Sequence, residues 1–85
     1  MELPAEEMAP VVNRIKRARG QLDGVVRMLE EGRPCEEIVT QLAAVSKALD
    51  RAGFAVIASG LRQCVIEDDS ELDLKRMERL FLSLA

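Results

Sequence analysis

Residues 34–66, PCEEIVTQLAAVSKALDRAGFAVIASGLRQCVI, decide the fold of this 85-residue chain. Within them Ile38, Leu42, Val45, Leu49, Ala52 and Val56 recur at alternating steps of four and three residues. That spacing lays apolar side chains along one stripe of a helix. Pro34 suits the first helical position, where a missing N–H leaves nothing unpaired. A helix over residues 34–66 is a rod of about 50 Å. Ala43, Ala44, Ser46, Ala48, Ala52, Gly53, Ala55, Ala58, Ser59 and Gly60 give it a run of small residues on which another helix can lie close.

Upstream, Val11, Ile15, Ala18, Leu22, Val25 and Leu29 repeat the same spacing and predict a first helix over about 10–31, ended by Gly32 as a glycine just past the last turn. Downstream, Glu67-Asp68-Asp69 closes the long helix. Ser70 can then cap a third helix over 70–84, with Asp73 at its third position and Leu74, Met77, Phe81 and Leu84 on the inner face. The expected fold is all-α, a three-helix protomer forming a single domain over residues 1–85. The two shorter helices cannot cover the whole rod, so an apolar stretch is left for a second copy. The competing expectation is a monomeric bundle bent at Gly53.

The composition narrows the chemistry. Lys and Arg number 12 against 15 Asp and Glu, and His, Trp and Tyr are absent. Without His there is no Ser-His-Asp or Cys-His catalysis and no His-based metal site within the chain. No apolar run approaches the length of a membrane span and no signal peptide is visible, which predicts a cytoplasmic protein with no membrane partner. In that reducing compartment two cysteines point to catalysis, metal binding or redox sensing before a structural disulfide.

Charge is unevenly distributed: residues 1–10 carry −3, residues 11–33 carry +3, residues 34–64 are neutral and residues 65–85 carry −3. On a helical wheel Arg14, Arg17 and Gln21 fall within about 60° of one another, while Lys16, Arg19 and Arg27 occupy the opposite flank. Two guanidinium groups beside an amide are compatible with phosphate contacts to a nucleic acid, and the competing expectation is a solvated helix face. No helix-turn-helix pattern accompanies them.

Cys35 and Cys64 sit near the two ends of the long helix, about 43 Å apart along an unbroken rod, and cannot meet within one chain. An antiparallel pairing of two copies about an axis between Leu49 and Asp50 sets Cys35 of one against Cys64 of the other. Cys35 follows Pro34 in the first turn, where unsatisfied N–H groups favour a thiolate. Glu36 and Glu37 oppose this, and Arg33 and Arg62 are available to offset them. Two other readings stay open: inert buried thiols in a helical oligomerisation module, and a small sulfur-transfer protein whose cysteines turn over.

The run Arg14-Ile15-Lys16-Arg17-Ala18-Arg19-Gly20-Gln21-Leu22-Asp23-Gly24, then Met28-Leu29-Glu30-Glu31-Gly32, Cys35, Thr40 to Asp50 and Leu61-Arg62-Gln63-Cys64 resembles the copper-sensitive operon repressor (CsoR) family over nearly the whole chain. The resemblance implies a non-enzymatic DNA-binding transcriptional repressor built from antiparallel four-helix-bundle dimers that pair into a disc-shaped tetramer. It assigns DNA contacts to Arg14, Arg17, Gln21 and Lys47, and inducer sensing to Cys35 and Cys64 of two subunits. The departures choose the branch. Copper sensors of the family place a His four residues before the second Cys, where this chain has Gly60. Pro34 stands where a Tyr often precedes the first Cys, and Leu80 where an acidic residue is expected. Nickel and cobalt sensors need His ligands, and formaldehyde sensors an N-terminal Pro where this chain has Glu2. What remains resembles the CsoR-like sulfurtransferase repressor (CstR) branch. That branch senses low-molecular-weight persulfides or polysulfides by forming a disulfide or a longer sulfur bridge, and it needs no cofactor. The alternative is a Cu(I)-responsive repressor holding the ion through the same two thiolates.

Overall fold

The computed structural model describes residues 2–66 and 71–85, and these form three helices: α1 (Ala5–Glu30), α2 (Cys35–Ile66) and α3 (Glu71–Leu84). No strand occurs among the described residues. The long rod is present as expected, unbroken through Gly53. Helices α1 and α3 both pack on α2 and, among the described residues, not on each other.

The α1–α2 turn follows from its glycine. Gly32 sits at φ +69°, its N–H donates to the Leu29 carbonyl at 3.3 Å, and the Arg33 N–H donates to the Met28 carbonyl at 3.0 Å. This pair of bonds is the Schellman arrangement, which satisfies the last carbonyls of α1. Pro34 then lies just outside α2, one residue before its expected place, and its carbonyl accepts from the N–H groups of Glu37 and Ile38. Gly32→Ala forces a Cβ into a left-handed residue and is expected to cost about 1–2 kcal/mol, read as a lower urea midpoint at unchanged slope.

Helix α1 departs from expectation at its start. It begins at Ala5, with Pro4 as the preceding extended residue, and runs through Pro10. Glu6 and Glu7 occupy its first turn, where carboxylates suit the positive helix end. Pro10 removes one hydrogen bond near the helix terminus, and a tertiary contact made by Glu7, described below, holds the added turn. The Ser70 cap and the acidic run 67–69 lie outside the described residues, as does the side chain of Asp73.

Helix α3 lays its inner face on the second half of α2. Met77 is buried, the Phe81 and Phe54 rings approach at 5.5 Å between centroids, and Leu84 Cδ1 would lie 2.7 Å from a Cβ at Gly53. Gly53 therefore serves close helix approach and not bending.

The body measures 53 × 25 × 13 Å. Its thinnest dimension barely exceeds one helix diameter, so the helices form a single layer that encloses little. Its accessible surface is 6337 Å², where a compact monomer of this mass exposes about 5000 Å². Within the expected stripe of α1 only Ala18 and Val25 are buried, while Ile15, Leu22 and Leu29 remain exposed together with neighbouring Val12 and Val26. On the first half of α2, Val39, Leu42 and Leu49 are likewise exposed.

Candidate functional site

A groove of about 430 Å³ runs along the α1–α2 seam. Arg14, Arg17 and Gln21 wall it from α1, Lys47 and Arg51 from α2, and Ala18, Ala44 and Ala48 form its floor. The construction follows from helical spacing: 14, 17 and 21 recur at three and four, as do 44, 47 or 48, and 51. Alanines at the floor let the two helices close while the long cationic side chains rise on both sides. No carboxylate lines the groove, and among the described residues none of its cations is in an ion pair. All four side chains expected to contact DNA thus share one surface. The sequence reading missed Arg51, although its spacing from Lys47 and Ala44 carried the signal.

The seam has two unlike flanks. On one lies the cationic groove, and on the other lie Val12, Ile15, Leu22 and Val26 of α1, each more than 40% exposed.

The thiols occupy opposite ends of α2 in different settings. Cys35 is its first residue and exposed, and Cys64 is buried. Their separation of 29 residues is about eight turns, so both lie on the same face of the helix. Cys64 packs in a cluster with Ile57 and Met77, with Phe54 against it. Of the two arginines available to offset the acids beside Cys35, one does so and the other is engaged elsewhere. Arg33 pairs with Glu37 at 2.7 Å, and Arg62 lies 3.6 Å from Glu7.

One polar contact was not anticipated. The hydroxyl of Ser59, fully buried, donates to Glu7 Oε2 at 2.8 Å, and Arg62 approaches the same oxygen. This ties the first turn of α1 to α2 beside buried Gly60, four residues before Cys64. Taking Pro10 as the helix start hid the contact, because it left Glu7 outside any element. The sequence Pro4-Ala5-Glu6-Glu7, an extended residue followed by acids in a first turn, was the available signal.

Residues 7–83 match the family model described as "Metal-sensitive transcriptional repressor". The chain belongs to this family. The family is described as one of transcriptional repressors. The copper-sensing transcriptional repressor CsoR of Mycobacterium tuberculosis (strain ATCC 25618 / H37Rv) is 41% identical over 63 residues, covering 74% of this chain and 52% of that protein. The chain spans about half the length of the curated relatives it matches. Among solved structures, the nickel-responsive transcriptional regulator InrS superposes with a TM-score of 0.79 at 28% identity, covering 100% of this chain and 98% of that one. The copper-sensing repressor CsoR with Cu(I) from Geobacillus thermodenitrificans NG80-2 gives 0.83 at 25% identity, covering 98% and 91%.

These metal-sensitive repressors are named for copper or nickel. They lend no specific support to persulfide sensing and back the Cu(I) alternative better. The donor set of this chain is nonetheless short for a metal. It has no His, and no group of three or more His, Cys, Asp or Glu among the described residues is placed to hold an ion. Two thiolates from two copies suit a soft ion such as Cu(I), and a further donor is needed for a three-coordinate site.

Proposed function

We propose that the chain is a cytoplasmic transcriptional repressor that holds operator DNA in the α1–α2 groove and responds to an inducer at Cys35 of one copy and Cys64 of another. The observation that carries this is the groove: Arg14, Arg17, Gln21, Lys47 and Arg51 converge from two helices with no carboxylate among them. Such a row contacts phosphates and positions the protein on a duplex. The working form is a dimer of dimers. An apolar surface this extensive on a one-layer body needs a partner, and antiparallel pairing along α2 covers Leu42 and Leu49 while bringing the unlike cysteines together. Repetition of the groove by symmetry then gives a chain of net charge −3 a multivalent cationic surface.

The inducer we infer is a low-molecular-weight persulfide or polysulfide, because the sensing pair is two thiols with no His. One thiolate attacks the outer sulfur of a persulfide RSSH, forming a protein persulfide and releasing RS⁻. The second thiolate attacks the Sγ of that persulfide, forming an inter-subunit disulfide and releasing HS⁻. Helix α2 carries both thiols and two groove cations, Lys47 and Arg51, so a bridge that fixes two α2 helices also fixes the spacing of their grooves. Coupling of about 1–3 kcal/mol weakens operator binding about 5- to 150-fold.

The second reading, Cu(I) held by the same pair, is favoured by the copper-sensing relatives. Intact-mass spectrometry after glutathione persulfide, beside a Cu(I) titration against a competing chelator, separates the two. Cross-linked dimer with weak copper binding supports the sulfur reading. Unmodified thiols with tight stoichiometric Cu(I) reverse it.

A further inference from the structure

Two sulfur side chains are buried together away from the basic groove. Cys64 of α2 is 3% exposed and Met77 of α3 is 4% exposed, and they pack in one cluster with Ile57. Met77 also borders a small cavity of about 150 Å³ whose wall includes Gly60, Ile57 and Leu80. Gly60 precedes Cys64 by one helical turn and contributes no side chain to this space. A thioether and a thiol thus share one buried cluster, and the thioether borders open volume.

We propose that Met77 is the third donor of a three-sulfur Cu(I) site, completed by Cys64 of the same chain and Cys35 of a second copy. This rests on the Cu(I) reading and names the ligand that reading lacks. Thioether and thiolate sulfur are both soft donors that select Cu(I) over harder divalent ions. Met77 gives up no proton on binding. The two thiols release one each, so two thiolates, one neutral thioether and one Cu(I) leave the site with a single negative charge. Burial favours so low a charge over the one that further carboxylate ligands would impose. Methionine also fills irregular cores with no other role, through its flexible, polarisable chain. Leucine at position 77 preserves that packing and removes only the donor, so Met77→Leu separates the two roles in a protein that still folds.

The test is X-ray absorption at the copper edge, with a chelator competition, on the full chain loaded with Cu(I), wild type beside Met77→Leu. The expected result is three sulfur neighbours in the wild type and two in the variant. The variant's affinity falls by about tenfold or more, the size of effect that accompanies loss of a supporting metal contact. Persulfide-driven cross-linking of Cys35 to Cys64 is unchanged in the variant, since it needs no thioether. Two sulfurs in both proteins, or three in both, overturns the role of Met77 while leaving the Cu(I) reading intact. Failure of the wild type to hold Cu(I) against the chelator overturns both.

Discussion

Replacing Arg14 and Arg51 together by alanine is expected to weaken binding to a duplex, selected by the wild-type chain from a random pool, by at least about 100-fold. The two residues face each other from α1 and α2 across one groove, and neither is in an ion pair among the described residues. Their charge is therefore available to DNA. A hydrogen bond to a charged group is worth about 1.5 kcal/mol or more. Two such contacts amount to about 3 kcal/mol, and each 1.4 kcal/mol is tenfold in affinity. Symmetric copies on the same duplex multiply the loss. The salt dependence should flatten as well, by about one unit of log–log slope for each phosphate contact removed. The control is Lys16→Ala with Arg19→Ala, which removes the same formal charge from the opposite, exposed flank of α1. That variant should stay within about threefold of wild type, the size of a surface change outside any contact. Equal losses in the two variants would mean that net charge, and not the groove, governs binding.

How much of this was legible beforehand varies with the range of the interaction involved. The extent of α2 was readable to one residue because its signals are local: a proline before it, an unbroken apolar stripe, and acidic residues after it. The groove was readable in part for the same reason, since 14, 17 and 21 declare a shared face through spacing alone. Arg51 was missed because it completes a surface between two helices, which emerges only when both are placed. The start of α1 was misread because Pro10 ordinarily marks a boundary, and what overrides it, the Ser59 to Glu7 hydrogen bond, links residues 52 positions apart. The stripe through Ile15, Leu22 and Leu29 marks an apolar surface correctly, but periodicity does not say whose surface covers it. Met77 belongs with these non-local cases. Its place on the inner face of α3 followed from spacing, whereas its neighbour Cys64 lies on another helix.

A mixture of Cys35→Ala and Cys64→Ala chains should recover sensing that neither variant shows alone. Each variant by itself lacks one member of every site, so persulfide treatment should give no inter-subunit bridge in either. In a mixed dimer the Cys35→Ala chain supplies Cys64 and its partner supplies Cys35. Antiparallel pairing then restores one complete site and leaves the other with no thiol. Random reassociation of equal amounts makes about half the dimers mixed, so about one quarter of the wild-type number of bridges should form. The basis is the geometry of α2: 29 residues of unbroken helix hold the two thiols of one chain about 43 Å apart on one face. Parallel pairing would set like residues together and give bridges between identical cysteines within a single variant. Bridging within one chain would require the rod to break and would give no cross-linked dimer at all. The readout is the mass of the non-reduced dimer with isotopically labelled chains, so that mixed and uniform pairs are counted separately. Variants that bridge alone, or a mixture that stays silent while mixed dimers are demonstrably present, would reject the two-copy site. Operator binding by each reduced variant should match wild type, because neither cysteine lines the groove.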